Sequence, residues 1–222
     1  MTDIISGLIQ ETISGIALGC IYALIALGFT LIYKATEVVN FSQGEIMMVG
    51  AYIHFFFLNL LISLSGGFNG WIFFLAFIGS VIFAVLFGII MDFIINKPLK
   101  GEPVFSIIMA TISLAIILRS LTAILAGPLS IIPISPFGDQ TFFLNGVVIS
   151  ILDISIIFSA IIIISSFYYF FNYTKWGIAM KATSADAEAA QLLGIPVNKV
   201  YRYVWIFASL VGVLSGIMLA PR

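Results

Sequence analysis

From Trp71 to Met91 the chain runs through aromatic, aliphatic and small side chains without one charged group. A run of that length matches the roughly 20 residues an α-helix needs to cross the hydrocarbon core of a bilayer. Similar stretches lie near residues 13–33, 46–64, 104–125, 151–171 and 203–220. The composition agrees, with 62% of the 222 residues apolar and 9% charged, against about 25% charged in a soluble domain whose surface must face water. The expected fold class is therefore an all-α integral membrane protein. It would be a bundle of about six transmembrane helices in a single domain over 1–222. A net charge of −1 offers no basic face to nucleic acid. The single cysteine, Cys20, excludes an intrachain disulfide.

Breaker residues and lysines organise the bundle. No Lys or Arg precedes the first apolar run, so the basic start of a cleaved signal peptide is missing and the first span is expected to remain in the mature protein. The stretch 127–146 contains Pro128, Pro133 and Pro136 and reads as an irregular outer loop or a partly re-entrant segment. Lys34 follows the first span, Lys97 and Lys100 the third, and Lys175, Lys181, Lys199 and Arg202 the fifth, while the turns 65–70 and 127–146 carry none. Loops rich in these residues stay in the cytoplasm. An external N-terminus and a cytoplasmic segment 172–202 are expected.

Helices in lipid associate through small residues that allow close approach. Gly15, Gly19, Ala23, Ala26 and Thr30 share one face of the first span, and Gly212 with Gly216 repeats the pattern in the last. Both faces are expected to meet protein, inside the bundle or across a homodimer. Ionisable groups within a span cost about 2.5 to 3.5 kcal/mol on insertion scales. Arg119 and Asp153 lie close enough to span ends to reach the interface by snorkelling. His54, with no second ligand nearby, is expected to hydrogen-bond within the bundle.

Two segments stand apart. Asn40, Phe41, Ser42, Gln43 and Glu45 gather around Gly44 where two spans meet. Such a break can line a water-filled path and offer helix N–H groups to an anionic group. It can equally be a turn in which Asn40 or Ser42 caps the second span, with Glu45 in its first turn. The second segment encodes a short helix over 185–193. Thr183 or Ser184 can cap it, Asp186 and Glu188 favour its positive end, and Gly194 and Pro196 stop it. Its small apolar side chains need cover, from a cytoplasmic partner or from the protein's own inner face.

No Gly-x-x-x-x-Gly-Lys-Ser/Thr loop occurs, so any ATP-driven work requires another subunit. His-Glu-x-x-His, Gly-x-Ser-x-Gly and magnesium-binding aspartate clusters are also missing, so neither enzyme chemistry nor a bound metal or cofactor is expected. A secondary transporter or passive channel for a small neutral solute, and a structural membrane subunit, are the rival classes.

Gly15 and Gly19 with the stretch 22–28, running into 40–45 and 50–52, resemble the start of permease subunits from branched-chain amino acid ABC importers, a group that includes urea importer permeases. Gly177, Ala179, Lys181, Ala182, Asp186, Ala190, Leu193, Gly194 and Ile195 resemble the loop by which those permeases engage their ATPase. The resemblance implies a path for branched-chain amino acids, urea or another small amide in the plasma (inner) membrane of a prokaryote. It also implies two cytoplasmic ATP-binding subunits, a second homologous permease subunit and an external substrate-binding protein. Closure of the ATPases would push on the helix at 185–193 and change access near 40–45. Members of that family continue through further spans, so the resemblance implies that C-terminal spans are missing here.

Overall fold

A computed structural model describes residues 2–99, 102–127, 140–144 and 147–221. Helices α1 (Thr2–Thr36), α2 (Gln43–Ser65), α3 (Gly70–Met91), α4 (Val104–Ala126) and α5 (Ile151–Tyr173) are followed by two short helices, α6 (Lys175–Ala185) and α7 (Ala187–Leu192), and by α8 (Val197–Leu219). Six of them, α3 extended through a π-helical turn to Asn96, are long and apolar enough to cross a membrane. In lipid nothing else can satisfy the backbone, so an apolar run of this length closes its hydrogen bonds internally as helix.

The first helix is longer than the stretch 13–33 read from hydropathy, and the last begins at Val197, before 203. Hydropathy finds the apolar centre of a helix and misses polar turns that continue it. Helix α2 ends at Gly66, whose left-handed backbone (φ 78°) lets its N–H reach the Ile62 carbonyl at 3.0 Å. In the stretch expected to be irregular, β1 (Thr141–Leu144) pairs antiparallel with β2 (Val147–Ser150), Thr141 opposite Ser150. Pro128, Pro133 and Pro136 lie outside the described residues, as does Lys100.

Helix α8 is the central element, packed against α1, α2 and α3. Glycines permit its close crossings. A Cβ at Gly50 would sit 2.5 Å from Val213 Cα, one at Gly88 2.6 Å from Ile206 Cα, and one at Gly216 would strike the Met47 carbonyl oxygen. Gly212 packs against Ile46. The main core gathers Ile32, Ile46, Phe87, Leu118, Val204 and Trp205 where these helices meet α4.

The small stripe of α1 is placed differently from the expectation of bundle packing. Gly15, Gly19, Ala23, Ala26 and Thr30 are exposed, and nothing lies within 4 Å of a Cβ at Gly15 or Gly19. The opposite face, Ala17, Ile21 and Leu24, is fully buried against α5 and α8. That face has the same helical spacing and offers larger side chains for dispersion contacts.

Asp153 also departs from the position expected of it. It does not reach the surface but is buried, accepting the Ser14 hydroxyl in the first turn of α5, where the helix dipole favours a carboxylate. A second buried carboxylate, Asp92, escapes notice in the sequence. It accepts Arg202 Nε at 3.2 Å and Asn96 Nδ2 at 2.7 Å, tying the π turn to the first turns of α8. Arg202→Ala leaves that carboxylate buried without its cation and is expected to cost roughly 3 kcal/mol. Asp92→Asn keeps the shape and should cost less. Thermal unfolding of both variants in detergent checks the order; equal losses would mean that the pair does not neutralise Asp92.

Candidate functional site

The break between α1 and α2 is built by local chemistry first. Glu37 takes a positive φ of 57°, turning the chain out of α1. Asn40 Oδ1 then accepts both the Ser42 backbone N–H at 3.1 Å and the Ser42 hydroxyl at 2.7 Å, an Asx-type turn that asparagine favours. Ser42 occupies the N-cap position of α2 but makes no side-chain cap bond. The side-chain-capped turn considered from the sequence is therefore not formed.

Tertiary contacts then hold the break inside the bundle. Gln43 Nε2 donates to the Ala208 carbonyl of α8 at 3.1 Å. Gly28 of α1 makes room for it, since a Cβ there would collide with that amide nitrogen. The Phe41 N–H donates to Thr111 Oγ1 of α4 at 3.4 Å, while the Phe41 ring is exposed. Glu45 accepts Arg119 Nη2 from α4. Arg119 is thus a partner of the polar break, a contact the sequence reading did not include, and its side chain remains 74% exposed. A helical side chain leans back toward the N-terminus of its helix, which brings Arg119 down toward the start of α2.

Asn40, Ser42 and Gln43 are buried, and among the described residues Asn40 Nδ2, Gln43 Oε1, Trp205 Nε1 and Ser209 Oγ find no hydrogen-bond partner. Each such group costs about 1 to 3 kcal/mol unless water or a solute meets it. Asn40 and Trp205 border a cavity of about 130 Å³ lined also by Thr36, Asn96, Thr111 and Tyr201, with Ile32, Val38, Ile95 and Leu99 as aliphatic wall. It has room for several waters. Two lining residues, Asn40 and Trp205, carry unpartnered N–H donors, and neither was legible as a pair because they are distant in sequence. His54 bonds Ser80 across α2 and α3 with Nδ1 to Oγ at 3.2 Å. No group of metal-binding side chains occurs among the described residues.

The second segment forms two helices, not one over 185–193. Thr174 caps α6 by accepting the Gly177 N–H at 3.0 Å, and Asp186 caps α7 by accepting the Ala189 N–H at 2.8 Å. Asp186 is extended (φ −159°, ψ 107°), so the helices are separated by a joint at the residue expected inside a single helix. Thr183 is buried and Ser184 donates to the Lys34 carbonyl at 2.7 Å, so neither serves as the expected cap. Gly194 (φ 83°) ends α7, and the Ile195 N–H returns to the Ala190 carbonyl at 3.0 Å.

The residues singled out in this segment divide by environment. Gly177 packs against the backbone of Phe171, and Ala179 and Ile195 pack on the core. Ala182 is half-buried. Lys181 Nζ donates to Asn172 Oδ1 at 2.7 Å. Ala190 is 3% exposed, whereas Leu192 and Leu193 are 89% and 83% exposed. Leu192 was missed, because the sequence pattern alone cannot tell a tethered leucine from a free one.

A helical bundle of six candidate spans, interrupted by a buried polar break and carrying a short helical arm at the lysine-bearing end, defines a multi-pass membrane protein with the parts of a permease. The chain belongs to the family described as branched-chain amino acid transport system / permease component, whose model matches residues 12–222. It is 26% identical over 220 residues to the high-affinity branched-chain amino acid transport system permease protein BraD of Pseudomonas aeruginosa, covering 96% of this chain and 71% of the relative. The corresponding LivH protein of Escherichia coli is 25% identical over 219 residues, 95% of this chain and 70% of the relative. A probable LivH of Methanocaldococcus jannaschii is 30% identical over 203 residues, 88% of this chain and 61% of the relative. No solved structure matches the chain significantly. Family membership favours a transporter component over an autonomous secondary transporter or channel.

Proposed function

We propose that this chain is the membrane-spanning subunit of an ATP-driven importer for branched-chain amino acids or a similar small polar solute. Two cytoplasmic ATP-binding subunits, a second homologous permease subunit and an external substrate-binding protein would complete it. The observation that carries this reading is the arm at α7. Ala190 is buried against the bundle while Leu192 and Leu193 are exposed, and an apolar tip of this kind at the cytoplasmic end would call for a protein to cover it. The lysine-bearing end, where the arm lies, would face the cytoplasm and the N-terminus the exterior.

A push on α7 has a physical route to the polar break. Ala190 and Ile195 connect α7 to the start of α8, and Ser184 connects α6 to the end of α1. Helices α1 and α8 enclose Gln43 through Gly28 and the Ala208 carbonyl. Movement of α8 relative to α2 would break the Gln43 bond and open the region of Asn40, Phe41, Ser42, Gln43 and Glu45, the proposed gate. The solute's polar group would meet the unpartnered donors of Asn40 and Trp205.

Gentle purification of the tagged chain from its native membrane, followed by mass spectrometry of its companions and an ATPase assay, tests the proposal. Recovery of a phosphate-loop ATPase and a second permease, with hydrolysis stimulated by a loaded binding protein, is the expected result. Folded protein without companions or hydrolysis would overturn it.

A further inference from the structure

A second, larger cavity is separate from the polar break. It has a volume of about 530 Å³ and lies between α1, α5 and α6. Helices α1 and α5 run side by side in the same direction, with Ala17 and Ile21 against Ile156, then Leu24 against Ala160. Toward the lysine-bearing end α6 lies beside both helices, and the groove opens there. Thr30 and Tyr168 on its edges are exposed, so the groove is open at the outer surface of the bundle.

Its lining is graded along its length. Leu27, Leu31, Ile164 and Phe167 form one end, and Lys34, Asn172, Lys181 and Ser184 form the other. Leu27 and Lys34 are seven residues apart on one helix, which separates the two zones by about 10 Å. None of the lining residues is acidic. Among the described residues neither lysine makes an ion pair, and Lys181 is held toward the groove's polar end by Asn172.

We propose that this groove binds one molecule of an anionic phospholipid, its acyl chain along α1 and α5 and its phosphate between Lys34 and Lys181. An acyl chain needs an apolar wall leading from the bilayer interior, and the phosphodiester needs cations at interface depth. Basic pockets between membrane helices meet both needs. A zwitterionic lipid would bring its own cation close to two lysines and be disfavoured. Lys34 lies on α1 and Lys181 on α6, so occupancy would brace α6 against α1.

Native mass spectrometry of the intact chain, with thermal unfolding in detergent against added phosphatidylglycerol, phosphatidylcholine or inorganic phosphate, tests this. Phosphatidylglycerol is expected to remain bound at energies that strip phosphatidylcholine, and to raise the unfolding temperature where the other two do not. Lys34→Gln with Lys181→Gln should weaken phosphatidylglycerol binding about thirtyfold, as two lost surface cations imply, and shift the lipid-free unfolding temperature by no more than about 2 °C. Thr30→Trp fills the apolar part of the groove, keeps both lysines and should also expel the lipid. It decides the matter if the lysine variant does not fold. Equal effects of the two lipids, stabilisation by phosphate alone, or undiminished binding by either variant would each overturn the proposal; in the last case the groove would be left for a protein neighbour.

Discussion

With Leu192 and Leu193 both changed to Asp, ATP hydrolysis by the assembled transporter is expected to fall to the level of the free ATP-binding subunits, and uptake with it. Both side chains, at the end of α7, are almost fully exposed, so their replacement removes little contact within the chain. A surface substitution of this kind changes stability by about 0.5 kcal/mol or less. At an interface the same change acts differently. Burying a leucine contributes about 1.5 to 3 kcal/mol, and burying two new carboxylates adds to the loss. A total of about 4 kcal/mol weakens association roughly a thousandfold. Co-purification and ATPase assays, with the unfolding temperature as control, make the measurement. Retained stimulation would sink the docking role of the arm. Ala190→Asp is no substitute for this experiment, because Ala190 is buried and a carboxylate there would detach the arm from its own bundle.

Gly216→Leu is expected to prevent folding outright. The first atom of any side chain there meets the Met47 carbonyl oxygen and lies 3.1 Å from the Ala51 nitrogen. Both are backbone atoms of α2, so no rotamer change relieves them. Ordinary overpacking costs about 1 to 3 kcal/mol, and a forced separation of two packed helices should exceed it, at about 4 kcal/mol or more. Size-exclusion profiles in mild detergent should show aggregate or no protein. Gly19→Leu is the matched control, with open space around its Cβ, and the isolated chain should unfold within about 2 °C of the parent. A similar collapse of both variants would mean that the exposed face of α1 is misplaced.

These two glycines show where sequence reading reaches its limit. Each belongs to a small residue repeat with helical spacing, and the repeats look alike. One is pressed against α2 and the other faces outward. In water the buried face of a helix is marked by its hydrophobicity, but in lipid both faces are apolar and only shape distinguishes them. The cap of α7 was misread for a related reason. Thr183, Ser184 and Asp186 can all cap a helix, and the choice was made by Ser184 reaching the Lys34 carbonyl from another element.

What the sequence determined by itself was the membrane as solvent, the helical state of each long apolar run, the polar interruption at 40–45 and the resemblance to a permease family. These depend on local composition and spacing, because a bilayer demands apolar helices of a minimum length and tolerates polar backbone only in sheltered places. The tertiary structure alone decided which glycines are crossings, that Arg119 meets Glu45 and Arg202 meets Asp92, that Asn40 and Trp205 border one cavity, and that Lys34 and Lys181 share a groove. Each of those relations joins residues far apart in the chain. Their meeting follows from how the helices cross, which no periodicity within a single helix encodes.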